Sequence, residues 1–416
     1  MSRPVARKCI APGTTVAPGE VLVATEIGDP ARGLAPCPAA PLVAGVLRRR
    51  GVRVRFGAVP HFAEASQADD GAVLFVTSAL QRDSEATGIG AAAAAVDAVA
   101  TAAARAAVEQ WSAVVATRRL LRAPIPWCDG ARQAMERAEK AVAAGPVYVY
   151  GHLAGSPQAL AGLAEAGAHF TNTLQDIPNG ATVLIPAHGV AQSVLDEAAE
   201  RGLTLIDATC PLVSALQREV QRFAARGDDV IVIGPAAHPV AAGLAGHAGN
   251  RTVAAQTPAD VGGVVANPRS VSYVLQPGIP VEDTAAVSTA LRSRFPALRG
   301  PDPDGFCYAA SDRAGSVRAV AGACDAVLVL GADNDADTRW LAGLVRASGA
   351  KAHVVADLGA IVPDWLAGVA AIGLAQSTSA PPALADEVTA ALAGLGQLSV
   401  TRRQVTTELA GPSRRE

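Results

Sequence analysis

The sequence has no run of about 18 uncharged apolar residues, the length a membrane-spanning helix requires, and its opening residues, Met1-Ser2-Arg3-Pro4-Val5-Ala6-Arg7, lack the apolar segment of a secretion signal. Charge of either sign is sparse. Charged residues make up 18% and the formal net charge is -3, so neither a nucleic acid nor a membrane surface is expected as a partner. Paired C-x-x-C spacing is also missing, which excludes a zinc ribbon. The chain is therefore expected to be cytoplasmic, and six cysteines in 416 residues then argue for metal or catalytic use over a disulfide framework. Arginine far outnumbers lysine and alanine is abundant, which reads as coding bias rather than a basic functional surface.

What is present is apolar bulk. Half of the residues are hydrophobic, and the length implies two to four domains. Residues 1–117 read as a separate α/β unit. It has strands at 21–25, 52–59 and 72–77, a helix at 39–50 closed by Gly51, a long alanine-rich helix across 88–111 and a further strand at 112–117. From Leu120 onward continuous apolar strands alternate with amphipathic helices, the pattern of parallel sheets covered on both faces. Three units follow, at 118–200, 201–299 and 300–395, with a tail at 396–416.

Each unit offers one cysteine turn and one strand that ends in a polar loop. Cys128, Cys210 and Cys307 each precede a helical run, and the loops are Pro186-Ala187-His188-Gly189, Ala237-His238-Pro239 and Asp333-Asn334-Asp335. Ligands of open α/β sheets bind beyond the carboxyl ends of the strands, so three such units about one axis would gather the three thiols. A helix N-terminus favours thiolate and hence metal binding. On spacing alone, a 4Fe-4S cluster with one open iron and a set of small core cysteines both remain open.

The segments Asp207-Ala208-Thr209-Cys210-Pro211-Leu212-Val213, Pro186-Ala187-His188-Gly189-Val190, Ala237-His238-Pro239, Phe306-Cys307-Tyr308-Ala309 and Ser379-Ala380-Pro381 together resemble the LytB/IspH family, 4-hydroxy-3-methylbut-2-enyl diphosphate reductase. The resemblance runs from about Arg119 to about Leu395. It implies an α/β fold with three units in a pseudo-threefold trefoil around a 4Fe-4S cluster, here with an extra N-terminal α/β domain. It also implies Cys128, Cys210 and Cys307 as cluster ligands with one iron left open to a small-molecule substrate. Two electrons, from an external donor such as ferredoxin or flavodoxin, together with protons, would expel the substrate hydroxyl as water. His188 and His238 match family positions that contact the diphosphate substrate, and would orient it or relay protons. Cys324 reads as a core residue inside a helix, and Cys9 and Cys37 stay unassigned.

Several pocket positions depart from the family. Its H-P-E reads His238-Pro239-Val240 here, and valine cannot transfer a proton. A family threonine falls at Pro277. The family's H-x-x-x-H-N reads Gly151-His152-Leu153-Ala154-Gly155-Ser156, so that His152 would substitute from the position next to Gly151. The loop that bonds diphosphate in the family reads Asn334-Asp335-Ala336-Asp337. Each carboxylate there would repel a diphosphate by about 4 kcal/mol at ~4 Å and an effective dielectric near ~20, unless the aspartates form a solvated face away from the pocket. Ser379 keeps its family position. The expected function is reductive dehydroxylation of a substrate other than the usual allylic diphosphate, one that is neutral or cationic. The alternatives are the family's ordinary reductase activity, a sulfur-removing or sulfur-transferring enzyme, and a non-catalytic iron-sulfur sensor.

Overall fold

The computed structural model describes residues 6–29, 33–60, 62–64, 72–80, 86–249, 251–264, 266–301 and 303–407. The opening five residues, and 408–416 of the expected tail, lie outside them. The chain divides into two compact units, one of residues 1–124 with 317–403, the other of 125–316 with 404–416. No helix among the described residues is long and apolar enough to cross a membrane.

The chain begins with β1 (Arg7–Ala11), β2 (Glu20–Asp29), β3 (Gly33–Pro36), α1 (Ala40–Arg49), β4 (Arg53–Val59), β5 (Ala63–Glu64), β6 (Ala72–Leu80), β7 (Ala86–Ala93), α2 (Ala98–Ser112) and β8 (Arg118–Arg122). β1 to β7 form one mixed sheet, in the order β3-β2-β7-β6-β1-β5 with β4 parallel to β2. Two expectations fail here. The stretch expected as one helix is a strand, β7, followed by a helix, because Gly88 and Gly90 leave room for the Ile27 side chain, and Asp97 starts α2 by accepting the Ala100 N–H at 2.9 Å. The strand expected at 112–117 is instead the last residue of α2 followed by a turn and an irregular link, after which β8 begins.

The other unit runs through α3 (Asp129–Ala144), β9 (Val147–Tyr150), α4 (Pro157–Glu165), β10 (Ala168–Thr171), β11 (Thr182–Ile185), α5 (Gln192–Glu200), β12 (Thr204–Asp207), α6 (Pro211–Ala225), β13 (Asp229–Ile233), α7 (Pro239–His247), β14 (Thr252–Ala255), α8 (Pro258–Gly263), β15 (Val271–Leu275), α9 (Ala285–Arg294) and the start of α10 (Ala309–Ala321). It holds two parallel sheets, β10-β9-β11-β12 and β14-β13-β15. Their central strands are apolar because helices cover both faces: Val230, Ile231, Val232 and Ile233 of β13 are all buried.

The chain then returns to the first unit with β16 (Ala326–Leu330), α11 (Ala336–Ala347), β17 (Lys351–Val355), β18 (Ala371–Gln376), α12 (Leu384–Ala393) and β19 (Leu398–Arg402). These strands and β8 make a third parallel sheet, β17-β16-β18-β8-β19. One apolar core joins it to the N-terminal sheet, running from Leu42, Leu47 and Trp111 to Leu330, Val355 and Leu392. Gly45 of α1 lies against Gly359 in the 3₁₀ turn Leu358–Ala360, and Arg49 donates to the carbonyls of Gly359 and Ile361. Cys324 is not inside a helix as expected. It lies in the turn between α10 and β16, half-buried against the core of the third sheet.

Candidate functional site

No disulfide joins the six cysteines. Cys128 is the N-cap of α3, exposed, and its Sγ accepts the Ala131 N–H at 3.4 Å. Cys210 is the N-cap of α6, with Pro211 setting the first helical position, and its own N–H bonds the Ala187 carbonyl at 3.0 Å. Cys307 follows the 3₁₀ turn Pro303–Gly305, just ahead of α10.

Burial pushes the Cys307 thiol above its ordinary value. The N–H groups of Ala309 and Gly278 pull it down, and nearby Cys128 and Cys210 push it up further. The lowering expected from the helix N-terminus is therefore outweighed at Cys307 by loss of water. Each of the other two thiols is close enough for its charge to be felt there. A Cβ placed on Gly130, in the first turn of α3, would lie 2.8 Å from the Cys210 Sγ, so the turns of Cys128 and Cys210 touch.

Among the described residues no group of three His, Cys, Asp or Glu side chains is gathered tightly enough for one metal ion. Three separate thiols, each able to feel the charge of another, are the donor type that a polynuclear iron-sulfur group takes, one thiolate to each metal. The donor set thus fits an iron-sulfur cluster on Cys128, Cys210 and Cys307.

Three imidazoles lie in the same unit. His152, in the loop after β9, stacks on His188 with centroids 6.3 Å apart and an interplanar angle of 13°. His188, after β11, meets His238 edge-on at 5.1 Å and 66°. Burial, then the neighbouring His238 and His152, push the His188 pKa down to about 4, and its buried Nδ1 finds no partner among the described residues. His238 is the N-cap of α7, and its Nδ1 accepts the Val240 N–H at 3.2 Å. Its pKa is lowered by burial and then by His152. A neutral His238 must therefore carry its proton on Nε2.

Val240 itself is 0% exposed and packs with Val220, Val232 and Leu244. The position that holds a carboxylate in the family is part of an apolar core here. Beyond β15, the Gln276 side chain is buried with its Oε1 unpaired among the described residues. Gln276, Gly130 and the Gly278 N–H were not singled out from sequence. A glycine in a helical first turn two residues after a cysteine was the available signal for Gly130.

Asn334, Asp335, Asp337 and Ser379 belong to the other unit, beyond the carboxyl ends of the adjacent parallel strands β16 and β18. Asn334 is exposed. Asp335 is the N-cap of α11, accepting the Thr338 N–H at 2.8 Å and its hydroxyl at 2.9 Å. Asp337 accepts the Thr378 N–H at 2.7 Å, and the Ser379 and Ser377 hydroxyls are 2.9 Å apart. Both carboxylates thus have local hydrogen-bond donors.

Residues 120–393 match the model of the LytB protein family. The chain belongs to that family. It is 40% identical over 296 residues to 4-hydroxy-3-methylbut-2-enyl diphosphate reductase 2 of Mycobacterium bovis, a match that covers 70% of this chain and 90% of that one. The enzyme of the same name from Pseudoalteromonas atlantica is 37% identical over 286 residues, covering 67% and 91%. The solved E-1-hydroxy-2-methyl-but-2-enyl-4-diphosphate reductase from Plasmodium falciparum has the same fold, with a TM-score of 0.62 at 24% identity over 72% of this chain and 95% of that one. A second solved structure, (E)-4-hydroxy-3-methyl-but-2-enyl diphosphate reductase, aligns with a TM-score of 0.55 and 24% identity over 67% and 99%. This LytB-family chain is thus similar to named reductases over most of their lengths, and the family match begins after the N-terminal sheet.

Proposed function

We propose that this LytB-family protein is a reductive dehydroxylase that holds a 4Fe-4S cluster on Cys128, Cys210 and Cys307 and acts on a hydroxylated substrate other than the usual allylic diphosphate. The overall change is R–OH plus two electrons and two protons giving R–H and water. When bound, the cluster would pass electrons one at a time to the substrate from an external carrier such as ferredoxin or flavodoxin.

The chain's own residues handle orientation and protons. With no carboxylate at position 240, this reading has the proton on the departing oxygen come through imidazole or water. His238, fixed by the Val240 N–H at its Nδ1, presents an Nε2 donor. His188, neutral near pH 7 because burial holds its pKa at about 4, orients polar groups without adding charge. Asn334, Asp335, Asp337 and Ser379 are assigned to substrate binding by position. The observation that carries the altered substrate is the burial of Val240 among aliphatic side chains, because an acid cannot be restored there without disturbing a core.

A second reading, the family's ordinary reductase activity, is favoured by the names of the relatives and by the hydrogen bonds that occupy Asp335 and Asp337. Anaerobic turnover of 4-hydroxy-3-methylbut-2-enyl diphosphate with a chemical reductant decides between them. Our reading expects turnover near background, and a rate like that of the named relatives would replace it with the second.

A further inference from the structure

Gly130 is the second residue of α3, inside the first turn. Its backbone does not require glycine, for it is not among the glycines with positive φ, and alanine is the better helix former. What glycine provides is space. A Cβ at position 130 would lie 2.8 Å from Sγ, 2.9 Å from Cβ and 3.7 Å from Cα of Cys210. The other flank of the Cys210 turn is closed as well: the Cys210 N–H bonds the Ala187 carbonyl at 3.0 Å, and a Cβ on Gly189, whose φ is +66°, would lie 3.1 Å from Cγ2 of Thr209. With its backbone held on that side, the Cys210 turn can answer a side chain at 130 only by swinging the thiol or parting from α3.

We infer that Gly130 is a positioning residue for the thiol site: having no side chain, it lets the N-terminus of α3, with Cys128, close on Cys210 and so fixes the direction of the Cys210 thiol. The consequence for metal binding rests on the cluster reading above, whereas the contact does not. Two measurements on the full chain separate them. In the metal-free protein, Gly130→Ala lowers the unfolding midpoint although helix propensity alone would raise it, and Cys210→Gly, which removes both close contacts, abolishes the penalty. Coupling between positions 130 and 210 then exceeds about five-fold in the folding constant. After anaerobic reconstitution, Gly130→Ala holds less iron than the parent, and its reduced cluster gives a shifted electron paramagnetic resonance spectrum. If Gly130→Ala stabilises both backgrounds equally, or takes up iron with an unchanged spectrum, the inference fails. If the parent chain takes up no iron, the cluster reading fails instead, and the mutant cycle alone decides the contact.

Discussion

Substituting Gly45 by alanine tests whether the N-terminal sheet and the third parallel sheet stand or fall together. A Cβ there would meet Gly359 at 2.5 Å from its oxygen, 2.7 Å from Cα and 3.0 Å from its carbonyl carbon. All three are backbone atoms, so no rotamer change relieves the contact. Alanine in a helix gains about 1 kcal/mol over glycine, while overpacking a closed contact costs roughly 1–3 kcal/mol. Parting α1 from the turn also weakens the Arg49 bonds to Gly359 and Ile361, each worth about 1 kcal/mol. The net expectation is a loss of roughly 1–3 kcal/mol, and in a unit of this size each kcal/mol moves Tm by about 2–4 °C. Amide hydrogen exchange reads the two sheets separately. Because one core joins them, protection should fall in β6 and β7 and in β16 and β18 at the same denaturant concentration. Loss confined to the N-terminal strands, or a stabilised variant, would refute the shared core.

Three further outcomes follow from the site. As pH falls from 6.5 towards 4, the unfolded chain takes up a proton that folded His188, with its pKa of about 4, refuses; stability should drop in that window by up to about 3 kcal/mol, and His188→Gln should flatten the urea-midpoint profile there. An identical profile in the variant would remove His188 as the cause. Val240→Glu places a carboxylate in an apolar core and should cost roughly 2–5 kcal/mol at neutral pH, less in acid where the group is neutral; an undiminished urea midpoint would mean that the side chain reaches water. Asp335→Ala removes the cap of α11 and should lower the urea midpoint by about 1–2 kcal/mol of stability; an unchanged midpoint would mean that the cap contributes nothing.

The parallel sheets were legible because β11, β13 and β16 are short apolar runs that only a doubly covered strand tolerates. The turns at Cys128 and Cys210 were legible as helix starts, with Pro211 marking one of them. The 86–112 stretch was not, since alanine favours helix and a run of it carries no alternating pattern to mark a strand. The glycines at 88 and 90, packed against Ile27, decide it through tertiary contact. The local partners of Asp335 and Asp337, the burial of Val240 and the contact of Gly130 with Cys210 depend on which faces meet, and a motif does not specify that. His152 could be proposed from sequence only as a substitute one position away. Its stacking on His188 needed the loop geometry after β9, where Gly151 takes a φ of +79°.

The most direct test of the cluster on three cysteines is iron and sulfide content after anaerobic reconstitution, for the parent chain and for six single Cys→Ala variants. The account predicts about four irons per chain in the parent and in the variants at Cys9, Cys37 and Cys324, with marked loss at Cys128, Cys210 and Cys307. Little iron in the parent, or equal retention in all six variants, would contradict it.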